Sequence, residues 1–337
     1  EPKIVGAKDP RIRYIGRFDF SNSQEVYFDW SGAAIEANFS GPYLAILLED
    51  GANSYNVSID KQTNVLETVP GKTKYEIAQN LLDGPHIVRI TKRTEAFIGG
   101  ATFSGFIVAA GHELLEKPAD ADRSIEFIGD SITTGYGIEG ESPDCWFTAR
   151  TQNVDQTYAA LTARHFAANY SIVALSGLGV VRNLRADETQ SPETAIDFVD
   201  RAVAMNPRSQ WNPENSAPDA VIVNLGTNDF SSLPQPDYGV FVDAYMDLLG
   251  KIRDRYPRTT IFALSGPLML APAPSAIREA VDRLRSLTKD EALHTVEISD
   301  TLDSSGADFG CDWHPNIKGH IKIADQLVPV LAEKLDW

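Results

Sequence analysis

Four short stretches of the sequence hold residues whose types and placement can do chemistry. Gly129-Asp130-Ser131-Ile132-Thr133-Thr134-Gly135 follows the apolar run SIEFI, a strand-to-helix turn that puts the Ser131 hydroxyl at a helix N-terminus. Free backbone N–H groups and the helix dipole favour an oxyanion there, which suits attack on a carbonyl. A serine hydroxyl is a weak nucleophile at neutral pH and needs a base. His314, in Cys311-Asp312-Trp313-His314-Pro315-Asn316, can serve as that base. Ser176-Gly177-Leu178-Gly179 follows SIVAL, and a glycine there lets backbone approach a ligand without a Cβ in the way. Gly226-Thr227-Asn228-Asp229 follows AVIVNL and offers a side-chain amide donor. Taken singly, the serine turn is equally consistent with helix capping, the glycine and asparagine turns read first as structural or capped turns, and a lone histidine reads first as structural or solvated. The conjunction changes the weighing, because all four stretches follow apolar runs of one region, and open α/β sheets bind ligands beyond the carboxyl ends of their strands.

The elements around these stretches fit such a sheet. After Arg123, apolar runs of about five residues (SIEFIG, SIVALS, AVIVNLG, TIFALSG, HTVEIS) alternate with segments of helical periodicity, the pattern of parallel strands with crossover helices. The helical segments are TYAALTARHFAAN, ETAIDFVDRAVAM, VFVDAYMDLLGKIRDRY, APSAIREAVDRLRSLTKDE and a closing HIKIADQLVPVLAEKL. Five such strands predict a flavodoxin-like α/β sandwich over residues 119–337. Residues 1–118 read differently. Short runs rich in Val, Ile, Tyr and Phe (YLAILLEDG, NSYNVSID, HIVRITKR, FSGFIVAAG) are separated by turn residues, which predicts a β-sandwich of jelly-roll type.

With the four blocks in this order, the region from Arg123 onward resembles the SGNH (GDSL-type) hydrolase superfamily, named for Ser, Gly, Asn and His. The matching residues are Ser131 in GDSIT, Gly177 in SGLG, Asn228 in GTND and His314 in DWHPN. The stretches GDSITTGYG, CWFTARTQN, TYAALTAR, SGLGVVRN, LGTNDFS and CDWHPN extend the resemblance to carbohydrate esterase family 2, in which a jelly roll precedes the SGNH domain. That resemblance implies a metal-independent, cofactor-free serine esterase releasing acetyl groups from xylan or a related plant cell-wall polysaccharide. It also implies an oxyanion hole made by the Ser131 N–H, the Gly177 N–H and the Asn228 amide. Many SGNH enzymes carry an aspartate three residues before the histidine, but Cys311 stands there and the nearest acid, Asp312, is two residues before. Family 2 is similar in that offset and includes both triads and dyads in which a backbone carbonyl orients the imidazole. Asp312 is therefore expected as the third member, holding the tautomer of His314. Trp146 and Trp313 flank this text and are expected to line the substrate site, since an indole can stack on a sugar ring. A lipase or thioesterase of the same superfamily, or a carbohydrate-binding protein with a silent α/β region, are the competing readings.

The 337 residues carry a formal charge of −17, which repels nucleic acid and anionic lipid in the absence of a basic patch. No apolar stretch approaches the roughly 20 residues of a membrane span. No signal is visible at the first residue, and secretion is expected from the resemblance. Asn38, Asn56 and Asn169 each begin a glycosylation triplet. The two cysteines, Cys145 and Cys311, lie in loops assigned to one rim of the sheet and can pair if the protein matures in an oxidising compartment.

Overall fold

The computed structural model describes residues 1–212 and 217–337 and divides into two compact units, one of residues 1–120 with 202–210, the other of residues 121–201 with 211–337. In the first unit ten strands form two antiparallel sheets. One holds β1 (Lys3–Gly6), β3 (Val26–Phe28), β5 (Leu44–Glu49), β8 (Lys74–Ala78) and β10 (Ala101–Val108). The other holds β2 (Arg13–Ile15), β4 (Ala34–Ser40), β6 (Ser54–Ile59), β7 (Gln62–Glu67) and β9 (Pro85–Lys92), in the order β2-β4-β9-β6-β7. Phe28, Phe39, Ile46, Tyr55, Phe103 and Phe106 belong to the apolar core that both sheets share. Asn56 is buried against the Arg93 guanidinium, which removes that triplet as an accessible glycan acceptor.

The second unit is an α/β sandwich. Its strands, β11 (Ser124–Gly129), β12 (Asn169–Ala174), β13 (Ala220–Asn224), β14 (Thr260–Ser265) and β15 (Leu293–Glu297), are all parallel in the order β12-β11-β13-β14-β15. Every residue of β13 is buried, as expected of a central strand covered on both faces. Helices α2 (Tyr158–His165) and α6 (Ile317–Leu335) contribute Tyr158, Ala163, Ile323 and Leu327 to the core under one face. Helices α4 (Tyr238–Arg255) and α5 (Ala273–Thr288) pack against each other, α5 also lying on β14.

The segment ETAIDFVDRAVAM departs from its expected helix. Only α3 (Ala195–Phe198) is helical, because residues 202–210 belong to the first unit, where the buried Asp29 carboxylate accepts hydrogen bonds from the Ala204 and Met205 N–H groups. Those donors would serve the backbone of a continuing helix; a carboxylate takes them instead.

For the site, the register matters most. Gly129 pairs with both Ala174 and Asn224, so the chain leaves β11, β12 and β13 at one level. The order reverses at β11, which makes the crevice between β11 and β13 the switch point where such sheets bind ligands.

Candidate active site

Ser131 opens α1 (Ser131–Thr134), a single turn capped by Asp130, whose side chain accepts from the Ile132 N–H at 3.0 Å. One turn sums few peptide dipoles, so the expected helix-dipole contribution shrinks to that of the local N–H groups. Gly129 is needed at the bend: a Cβ there would fall 2.1 Å from Thr133 Oγ1.

Across the sheet, the Nε2 of His314 lies 2.8 Å from Ser131 Oγ. Its other nitrogen, Nδ1, lies 3.1 Å from the backbone carbonyl oxygen of Asp312. A carbonyl only accepts, so Nδ1 carries the proton of the neutral ring and Nε2 presents its lone pair to the serine hydroxyl. Burial holds the His314 imidazole below its ordinary pKa of 6.5, with the charge and carbonyl of Asp312 pulling the other way.

The Asp312 carboxylate does not orient the imidazole, contrary to the sequence expectation. It accepts from the Tyr136 hydroxyl at 3.0 Å and the Phe147 N–H at 2.9 Å. The cause is local: Asp312 and Trp313 both have left-handed backbones, with φ of 53° and 58°. That turn brings the Asp312 carbonyl to the ring and sends the carboxylate to Tyr136 and Phe147. Two consecutive left-handed non-glycine residues cost roughly 1–2 kcal/mol each, and surrounding bonds must hold them. Asp312 N–H donates to Cys145 O at 3.0 Å, Trp313 N–H to Pro143 O at 3.3 Å, and Cys311 N–H to Gly137 O at 3.0 Å. Cys145 and Cys311 form a disulfide, closing the loop that brings these segments together. Asn316, which ends the DWHPN stretch, caps α6 by accepting from Lys318 and Gly319 N–H.

The two remaining blocks meet at the switch point. Asn228 is buried, and its amide donates to Leu178 O at 2.9 Å and Asp130 Oδ2 at 3.2 Å, tying the loops after β11, β12 and β13 together. Both amide hydrogens are thus engaged, the Asp130 contact being the longer. Gly177 has a left-handed φ of 79° and its carbonyl accepts from Leu184 N–H. Its loop is gathered by a residue the sequence reading passed over: buried Asp229 accepts from the Val180, Val181 and Arg182 N–H groups at 2.7–3.1 Å. Its place directly after Asn228 was the available signal. Tyr136 was also missed, although it stands in GDSITTGYG, five residues beyond Ser131.

Trp146 is 84% exposed and Trp313 50% exposed, on the two loops joined by the disulfide. Neither indole is used up in the core, although Trp313 leans on Phe309 with centroids 5.4 Å apart.

Two family models match the chain: "Carbohydrate esterase 2 N-terminal" over residues 14–118 and "GDSL-like Lipase/Acylhydrolase family" over residues 127–321. A cellulase/esterase of Acetivibrio thermocellus is 34% identical over 336 residues; the match takes in 98% of this chain, which spans 40% of that relative's length. An acetylxylan esterase/glucomannan deacetylase of Cellvibrio japonicus is 28% identical, with 91% of this chain and 85% of the relative covered. A solved family two carbohydrate esterase from Clostridium thermocellum, in complex with cellohexaose, aligns with a TM-score of 0.89 at 33% identity, covering 97% of this chain and 99% of its own. From the four blocks through the paired Ser131 and His314 to these matches, the chain belongs to the GDSL-like lipase/acylhydrolase family and, within it, to the family two carbohydrate esterases.

Proposed function

We propose that the protein hydrolyses O-acetyl esters of xylan or a related plant cell-wall polysaccharide through a Ser131–His314 dyad. The observation that carries the reading is the chain of contacts from Ser131 Oγ to His314 Nε2 and from Nδ1 to the Asp312 carbonyl. Ser131 Oγ attacks the acetyl carbonyl while His314 takes its proton; the imidazolium then protonates the departing sugar oxygen, and water, deprotonated by the same ring, releases acetate. The oxyanion sits against the N–H groups of Ser131 and Gly177 and the Asn228 amide, which exchanges its longer contact with Asp130 for the substrate oxygen. No metal or cofactor enters this scheme. Trp146 and Trp313 are assigned to stacking on sugar rings. The relatives' names and the cellohexaose held by the solved neighbour support a carbohydrate substrate, and the disulfide supports maturation in an oxidising, extracytoplasmic setting. Among the described residues no helix is long and apolar enough to cross a membrane.

The test is acetate release from acetylated xylan and acetylated glucomannan, followed by position with NMR, alongside aryl esters of increasing chain length. Release of acetate with rejection of butyrate supports the reading. Faster turnover of long acyl chains replaces it with a lipase, and no hydrolysis of any ester replaces it with a binding protein.

Two predictions follow from the base. The active form is neutral imidazole, and burial disfavours its protonation, so the acid limb of kcat/KM falls at a pH below 6.5 rather than above it. A pH–rate profile with an aryl acetate locates it. Asp312→Asn keeps the backbone carbonyl and a side-chain oxygen for Tyr136, so we expect a loss of about tenfold in kcat, far from the ~10⁴-fold loss when a triad aspartate is neutralised. A loss of that larger size in steady-state kinetics would return the carboxylate to the catalytic chain.

A further inference from the structure

Tyr136 lies on the same short segment as the nucleophile: its N–H donates to the Ser131 carbonyl at 3.1 Å. Its ring reaches the base, with centroids 4.3 Å apart and planes 38° from parallel to the His314 imidazole. The same ring stacks on Phe147, at 4.1 Å and 17°. Its hydroxyl donates to Asp312 Oδ2, the oxygen that also takes the Phe147 N–H. This one side chain therefore touches both the imidazole and the carboxylate of the residue whose carbonyl faces it.

We propose that Tyr136 is the positioning residue of the dyad, its hydroxyl fixing the left-handed Asp312 so that the carbonyl faces Nδ1, and its ring fixing the tilt of the imidazole. The inference rests on Ser131 and His314 being the reacting pair. An aspartate in a left-handed turn can relax by rotating its backbone, and any such rotation carries the carbonyl oxygen away from the ring. Asp312 is pinned at two points, its N–H on Cys145 O and its carboxylate on Tyr136 and Phe147, which leaves the carbonyl direction determined. Because Tyr136 is bonded to Ser131 as well, it sets the base relative to the nucleophile rather than to the loop alone. The ring makes a second contribution during turnover. When His314 takes the serine proton it becomes a cation beside the electron-rich face of a phenol, an attraction absent from the resting state.

The test compares wild-type protein with Tyr136→Phe and Tyr136→Leu by steady-state kinetics on an aryl acetate across pH, and by proton NMR of the His314 Nδ1–H. Tyr136→Phe keeps the ring and should lower kcat about tenfold with KM unchanged, as expected of a small displacement of a reacting group. Its Nδ1–H resonance should broaden as the proton exchanges more readily with water. Tyr136→Leu also loses the ring, so kcat should fall about 100-fold, and the acid limb should move to lower pH as the imidazolium loses its neighbour. A merely structural tyrosine would change melting without moving the limb or the resonance. Wild-type kcat, limb and resonance in both variants would overturn the proposal, as would a change confined to KM. Should Tyr136→Leu not fold, Tyr136→Phe decides alone. Should the wild-type protein hydrolyse no ester, the esterase reading fails by itself, and the Nδ1–H resonance of Tyr136→Phe still decides the positioning role.

Discussion

Ser131→Ala is expected to lower turnover of acetyl esters by about 10⁴-fold or more, and His314→Ala by a similar factor, since in the proposed dyad nucleophile and base act as one unit. The double variant should lose little beyond either single one. Neither change should unfold the protein. Ser131 gives up one hydrogen bond, to a partly buried ring, a loss of about 1 kcal/mol. In a unit of this size that is a few degrees at most in Tm. Single-turnover kinetics with an aryl acetate, run beside thermal melts, separates chemistry from folding. Activity of Ser131→Ala above a few per cent of wild type would remove Ser131 from its assigned role.

Asn228→Ala is the second large effect. Loss of one oxyanion donor is expected to reduce kcat by about 100–1,000-fold, with KM nearly unchanged because the donor meets full negative charge only in the transition state. Asn228 has a structural duty as well, since its amide binds Leu178 O and Asp130 Oδ2. Two measurements tell the duties apart. If the amide is only a tie between loops, the melting temperature falls and kcat drops by less than about tenfold. If it serves the oxyanion, kcat falls far more than stability accounts for, and a phosphonate mimic of the tetrahedral intermediate loses affinity in proportion.

Much of this architecture could be read before any coordinate, and the reason is physical. Strands covered on both faces must be apolar along their whole length, so AVIVN announces β13 without ambiguity. Parallel strands paired in one register then bring the residues after them to one crevice, which is why Ser131 and Asn228 could be placed from their position beyond apolar runs. The cysteine pairing, left open in the sequence, is present in the structure. What could not be read were features that depend on the sign of a backbone angle or on a distant partner. Nothing in CDWHPN declares that Asp312 and Trp313 turn left-handed, and with that turn the roles of carbonyl and carboxylate at Asp312 exchange. The short α3 has a similar origin. ETAIDFVDRAVAM has helical spacing, but the competitor for its N–H groups is Asp29, far earlier in the chain. Tyr136 and Asp229 lay inside quoted motifs, yet only contacts across the site give them a part.

The disulfide has a consequence for how the protein is made. Cys145 and Cys311 are separated by 166 residues, so at 5–20 residues per second the first thiol waits roughly 8–33 seconds for its partner to be synthesised. During that interval an oxidant can cap it or join it to another chain. Within these 337 residues it cannot choose wrongly, because two cysteines allow a single connectivity. Between these two cysteines the errors left are capping by a small thiol and covalent dimers, and the dimers rise with concentration. Dilution is the remedy this pattern calls for against the dimers.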